Sequence, residues 1–149
     1  MRIEVFGRTE TGCVRESNED TFAVLHLNEP SRKLDPEGRA VDAGTAGTLV
    51  VVCDGMGATG HGDQASSVAC GQFAARVQAD LPRLLAGRVS RSEVMSVALE
   101  EADTAITNAI ARSPELRGMG TTLTAALLGS DEVHLVHVGD SRAYLLRGG

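Results

Sequence analysis

Tryptophan is missing from this chain, and the other aromatics amount to one tyrosine and three phenylalanines. Any core must therefore be aliphatic, and the stacking platforms that hold single-stranded nucleic acids are almost wholly lacking. Basic charge is also in short supply: 14 Lys and Arg stand against 20 Asp and Glu, a formal charge of −6. Binding to phosphate backbones by counterion release needs the opposite balance, so nucleic acid is not expected as a partner. No apolar run approaches the roughly 20 residues of a spanning helix. The opening MRIEVFGRTE carries Arg2, Glu4 and Arg8 where a secretory signal would need an unbroken apolar stretch. Neither membrane association nor export is expected. The three cysteines, Cys13, Cys53 and Cys70, are odd in number and widely spaced. That suits neither a disulfide framework nor a zinc ribbon and makes a reducing, cytoplasmic setting the expectation.

What is present suffices for one globular unit. The chain has 149 residues, 42% of them hydrophobic and 23% charged, which leaves no room for a second core. Alternation at Ile3 and Val5, and again at Thr21, Ala23 and Leu25, predicts two short strands separated by the polar segment TGCVRESNED. Residues 28–47 are rich in proline, glycine and charge, and no regular structure is expected there. TLVVVCD has the continuous β-branched character of a strand buried on both faces, with Asp54 emerging at its carboxyl end.

Apolar or small residues at Ala65, Val68, Ala69, Phe73, Val77, Leu81 and Leu84 trace one helical face that Pro82 should kink or end. Ser90 and Glu93 have capping-box spacing and open a second helix, which Ser113-Pro114 stops. The last third, TTLTAALL, EVHLVHV and RAYLLR, reads as a three-strand meander turning at Gly129-Ser130-Asp131 and at Gly139-Asp140-Ser141. A terminal turn at Gly148-Gly149 would leave a strand edge unpaired, so the chain is expected to stop before its domain does.

The stretch CDGMGATGHGD places an acid and four glycines between a strand and a helix. Gly55-x-Gly57-x-x-Gly60 has the dinucleotide-binding spacing, but that fingerprint needs a second strand ending in an acid, and here helix follows helix. An aspartyl nucleophile would want another acid two residues on, where Met56 stands. As a metal ligand, Asp54 offers two oxygens and Gly55 an unshielded carbonyl. The plain alternative for Asp54 is a turn former.

The order of the motifs narrows these options. Gly12-Cys13-Val14-Arg15-Glu16-Ser17-Asn18-Glu19-Asp20 is followed by Val52-Cys53-Asp54-Gly55-Met56-Gly57. Then come Gly118-Met119-Gly120-Thr121-Thr122 and His137-Val138-Gly139-Asp140-Ser141-Arg142. Together they resemble the metal-dependent serine/threonine protein phosphatases of the PPM, or type 2C, family, especially its bacterial members. The resemblance covers nearly all of residues 1–149 but only about the first half of the family's domain. It implies an α+β fold, a four-layer α-β-β-α sandwich of two antiparallel sheets flanked by helices. It also implies hydrolysis of phosphoserine and phosphothreonine by water activated between two divalent ions, Mn²⁺ or Mg²⁺, with a third held more weakly.

Carried over residue by residue, Asp54 resembles the ligand that bridges the metals, and Gly55 resembles its carbonyl partner. Glu19 and Asp20 match the acidic pair that supports the second metal through water. Arg15 matches the phosphate-binding arginine, a task that suits a planar guanidinium. Asp140 matches the aspartate of the third metal, with a plain hairpin turn as the alternative. Thr121 and Thr122 carry no assigned role.

The sequence also departs from the family's pattern. Ala58-Thr59 stand where bacterial members have Gly-His. Met56 occupies the place of a histidine proposed in eukaryotic members as proton donor, and a thioether cannot donate. His61 reads as a solvent-exposed loop residue, and His134 and His137 should point to opposite faces of a strand. The family's downstream Ser-Asp-Gly and Asp-Asn segments are not found, because only SRAYLLRGG follows Asp140. Weak or no activity is therefore expected of this chain by itself. A phosphorylated protein is the expected partner, opposite a serine/threonine kinase. The alternative function is a non-catalytic module that binds phosphoproteins or other partners, and less so a dinucleotide-binding domain.

Overall fold

The computed structural model describes residues 2–28, 37–42, 44–57 and 60–148. Its strands are β1 (Arg2–Phe6), β2 (Asp20–His26), β3 (Glu37–Asp42), β4 (Thr48–Met56), β5 (Gly120–Thr121), β6 (Leu123–Leu128) and β7 (Val133–Val138). Two helices, α1 (Gly62–Leu85) and α2 (Arg91–Arg112), follow one another between β4 and β5, and a 3₁₀ turn spans Pro114–Leu116. The main sheet runs β2-β4-β6-β7, with β5 extending the pairing at the end of β4, while β1 and β3 form a separate antiparallel ribbon. Every pairing is antiparallel. The glycine loop after β4 therefore does not sit in the βαβ crossover that a dinucleotide fold requires, and that reading is set aside.

One face of the main sheet is covered by the helices. Leu25, Leu49, Val51, Cys53, Leu123, Ala125 and Leu127 point into a core shared with Ala69, Phe73 and Val77 of α1 and Val94, Met95 and Ala98 of α2. Phe73 is the largest of these side chains, and truncating such a residue to alanine costs about 3–5 kcal/mol. The expectation that TLVVVCD is buried on both faces is corrected: Val51 is 1% exposed, but its neighbour Val52 is 49% exposed. The run is apolar on both sides, yet helices pack on only one. A cleft lined by Val5, Phe6, Phe22, Val24, Val50 and Val52 separates β1 from the other face.

Other expectations also change. Residues 37–42, read as irregular, form β3 because they find a partner in β1. Residues 29–36, 43 and 58–59 lie outside the described residues. Pro82 falls in the last turn of α1, so the helix continues to Leu85 before closing through the Ala86 amide onto the Pro82 carbonyl. The capping box of α2 is formed, with the Ser90 hydroxyl accepting from the Glu93 amide and the Glu93 carboxylate accepting from the Ser90 amide. RAYLLR is not a strand. Gly139, at φ +102°, turns the chain away from β7, and Ser141–Tyr144 cross Thr124, Leu135 and His137 on the uncovered face.

Candidate functional site

Register brings the acids together. Asp20, the first residue of β2, is the direct cross-strand partner of Asp54 in β4. Direct partners share a face. Since Cys53 points into the helix-covered core, Asp20 and Asp54 project from the opposite face. Burial, the Asp54 charge and a hydrogen bond between the two carboxyls push the Asp20 pKa above its usual value, against the pull of Arg15. Two facing carboxyls cannot both ionise cheaply unless a cation compensates them. The donors here are hard oxygens, the set that Mn²⁺ and Mg²⁺ accept.

Glycine is required where strand and helix meet. A Cβ on Gly55 would stand 1.9 Å from the Gly62 carbonyl oxygen and 2.7 Å from that of Glu19. The Gly55 amide donates to this same Glu19 carbonyl at 3.1 Å. The Glu19 carboxylate lies against Gly62, the first residue of α1, so that a Cβ there would be 2.8 Å from its Cδ and Oε1. A negative charge is favoured at a helix amino terminus, and the N-cap His61 supplies no side-chain cap of its own. Arg15 Nη1 reaches Glu19 Oε2 at 3.3 Å, with the Glu19 side chain 14% exposed and that of Arg15 68% exposed. Glu19 is thus a seated anchor that holds one edge of an otherwise open guanidinium.

The main chain of Asp54 is gripped from the other side. Its amide donates to Thr122 Oγ1 at 3.0 Å. Its carbonyl accepts from the Thr122 amide at 2.9 Å and from Thr121 Oγ1 at 3.0 Å. Thr122 Oγ1 lies 2.7 Å from Ser141 Oγ, and a Cβ on Gly139 would be 2.6 Å from Thr122 Cγ2.

Arg15, Glu19, Asp20, Asp54 and Gly55 are therefore drawn into one corner by direct contacts. Asp140 is exposed and joins them only through its neighbours Gly139 and Ser141. It is not a hairpin turn, because no strand follows it among the described residues. Among the described residues, no three His, Cys, Asp or Glu side chains come close enough to hold an ion together. A cation at the Asp20–Asp54 pair would need the Gly55 carbonyl and water to complete its shell.

Met56 is 66% exposed beside the pair. His61 is half-buried rather than solvent-exposed, in contact with the start of α1. His134 bonds Ser92 at the start of α2, and His137 bonds Thr124, on opposite faces of β7. The contributions of Thr122 and Ser141 escape a reading of the sequence, whose only hint is that each lies two residues after a glycine in the ordered motifs.

Comparison with known proteins agrees in range and in fold. The family model described as protein phosphatase 2C matches residues 37–149. The chain is 35% identical over 144 residues to the serine/threonine protein phosphatase PstP of Mycobacterium tuberculosis, covering 95% of this chain and 22% of PstP. It is 29% identical over 143 residues to the serine/threonine phosphatase stp of Listeria innocua, covering 94% of this chain and 48% of that protein. The crystal structure of the Mycobacterium tuberculosis phosphatase PstP/Ppp superposes with a TM-score of 0.68 at 28% identity, over 99% of this chain and 50% of that one. The PstP catalytic domain in complex with two manganese ions gives a TM-score of 0.63 at 30% identity, over 99% and 51%. The chain thus spans about half the length of the Listeria relative and of these solved chains, and about a fifth of full-length PstP.

Proposed function

The chain belongs to the protein phosphatase 2C family, and on that premise we propose that it carries the Asp54 side of a metal-dependent phosphoserine and phosphothreonine phosphatase centre. The observation that carries this reading is the Asp20–Asp54 pair, two acids set face to face whose mutual repulsion Arg15 does not offset. Asp54, with the Gly55 carbonyl, is the residue we assign to a divalent cation, with Asp20 supporting the shell through water and Asp140 a further cation ligand. Such an ion, Mn²⁺ or Mg²⁺, supplies positive charge to the phosphoryl oxygens and acidifies water.

The protein's own groups do the rest. Arg15 presents a planar fork that can hold two phosphate oxygens, and Glu19 keeps that fork near the acids. Asp20, whose pKa is raised, can hold a proton or accept a hydrogen bond from water. Met56 has no transferable proton, so the departing seryl or threonyl oxygen takes its proton from water. The substrate class is a phosphorylated protein, in a cytoplasmic kinase-opposing role.

Mn²⁺ titration followed by electron paramagnetic resonance, together with hydrolysis of an aryl phosphate, tests the assignment. Asp54→Asn should abolish Mn²⁺ binding and lower any Mn²⁺-dependent hydrolysis by about a thousandfold. Wild-type behaviour in the variant would overturn it. Phosphopeptide binding that needs Arg15 but ignores Mn²⁺ would favour a non-catalytic module instead.

A further inference from the structure

The pairing between β4 and its β5–β6 neighbour is interrupted at one place. Gly55 stands opposite Thr121, and Val52 stands opposite Thr124. The register is continuous, so Asp54 faces Thr122. An ordinary antiparallel rung there would run from the Asp54 amide to the Thr122 carbonyl. Instead that amide donates to the Thr122 hydroxyl at 3.0 Å, and the displaced carbonyl, 2.9 Å from Thr121 Oγ1, shares that hydroxyl's one proton with the Asp54 carbonyl. A side-chain oxygen has replaced a backbone one at Asp54, whose carboxylate is assigned to the cation.

A hydroxyl carries one proton and two lone pairs. Thr122 Oγ1 spends one lone pair on the Asp54 amide, and its remaining polar contact is Ser141 Oγ at 2.7 Å. Ser141 follows Asp140 directly, and Gly139 precedes it, where a Cβ would stand 2.6 Å from the Thr122 methyl. The reciprocal bond, from the Thr122 amide to the Asp54 carbonyl at 2.9 Å, is fixed by the sheet, whereas the hydroxyl bond to the Asp54 amide depends on the rotamer of Thr122, and Ser141 biases that rotamer.

We propose that Thr122 is a positioning residue that couples the Asp140 turn to Asp54 through the hydrogen-bond chain Ser141–Thr122–Asp54, so that Ser141 tunes how tightly the Asp54 pair holds a divalent cation. The cation half of this statement rests on the phosphatase reading; the coupling half rests on the hydrogen bonds alone. An ion or phosphate group that moves the Asp140 turn is thereby felt at Asp54 without touching it.

Two readouts on the same chain test the proposal. The first is amide hydrogen exchange at Asp54, followed by NMR without metal, and the second is Mn²⁺ affinity by electron paramagnetic resonance. Thr122→Val removes the hydroxyl and should speed Asp54 exchange and weaken Mn²⁺ by about tenfold each. Thr122→Ser keeps the oxygen and should stay within about twofold of the wild type in both. Ser141→Ala, on a turn that threatens no core packing, should change each by about threefold in the same direction. Exchange and affinity both unchanged in Ser141→Ala, or Thr122→Ser failing to restore what Thr122→Val loses, would overturn the coupling. A wild-type chain that binds no Mn²⁺ would sink the phosphatase reading and the cation half with it, while the exchange rates would still decide the coupling.

Discussion

Asp80 and Asp20 are the same side chain in opposite circumstances. Asp80 sits on the helix layer, buried, with Arg76 Nη2 at 2.7 Å on one carboxylate oxygen and Arg83 Nη1 at 2.9 Å on the other. Burial pushes its pKa up, but the hydrogen bonds and charges of Arg83 and Arg76 outweigh that and hold it below the usual aspartate value. Asp20 faces another acid across β2 and β4, and burial together with Asp54 pushes it the other way despite Arg15. One acid is balanced by the fold itself. The other is left in want of positive charge, the condition under which a cation gains the most by arriving.

The largest effect that would test this contrast is on stability. Asp80→Ala should destabilise the chain by about 2 kcal/mol at neutral pH, measured by urea unfolding, because two arginines lose charged hydrogen bonds. Since the folded pKa of Asp80 lies below its unfolded value, its contribution is present above about pH 4 and is lost as pH falls through the folded pKa. The gap between wild type and variant should therefore close in acid. A gap that persists there would break the comparison.

Next comes Arg15→Lys. It should raise KM for a phosphorylated peptide about tenfold with little change in kcat, because an ammonium cannot reproduce the two-oxygen fork. Its unfolding midpoint should hardly move, since the Arg15–Glu19 pair is exposed on the arginine side. The smallest effect is also the sharpest. Asp20→Asn removes one of the two facing acids and should stabilise the metal-free chain by about 0.5 kcal/mol, then lose that advantage when Mn²⁺ is added. Thermal melts with and without Mn²⁺ would show the reversal, and Asp80→Ala should show no such dependence on the ion.

Much of the helix layer is legible in the sequence, because its signals are local. The Ser90–Glu93 box and the apolar spacing from Ala65 to Leu84 need no distant partner to be understood. β3 escapes such a reading because a charged, glycine-bearing segment becomes a strand only once β1 lies beside it. RAYLLR fails in the reverse sense: its pattern suits a strand, but Gly139 aims it across the sheet. At the site, the ordered motifs single out Arg15, Glu19, Asp20, Asp54 and Asp140. The Thr122 rung spans 68 positions and depends on register, which no local pattern encodes.

At the junction of Gly55 with Gly62, main chain meets main chain and no side chain acts as a cushion. The 24-residue α1 is therefore a stiff lever whose short arm rests directly on the end of β4. Even a methyl group wedged into that fulcrum would tilt the rod, and the acids would travel with it.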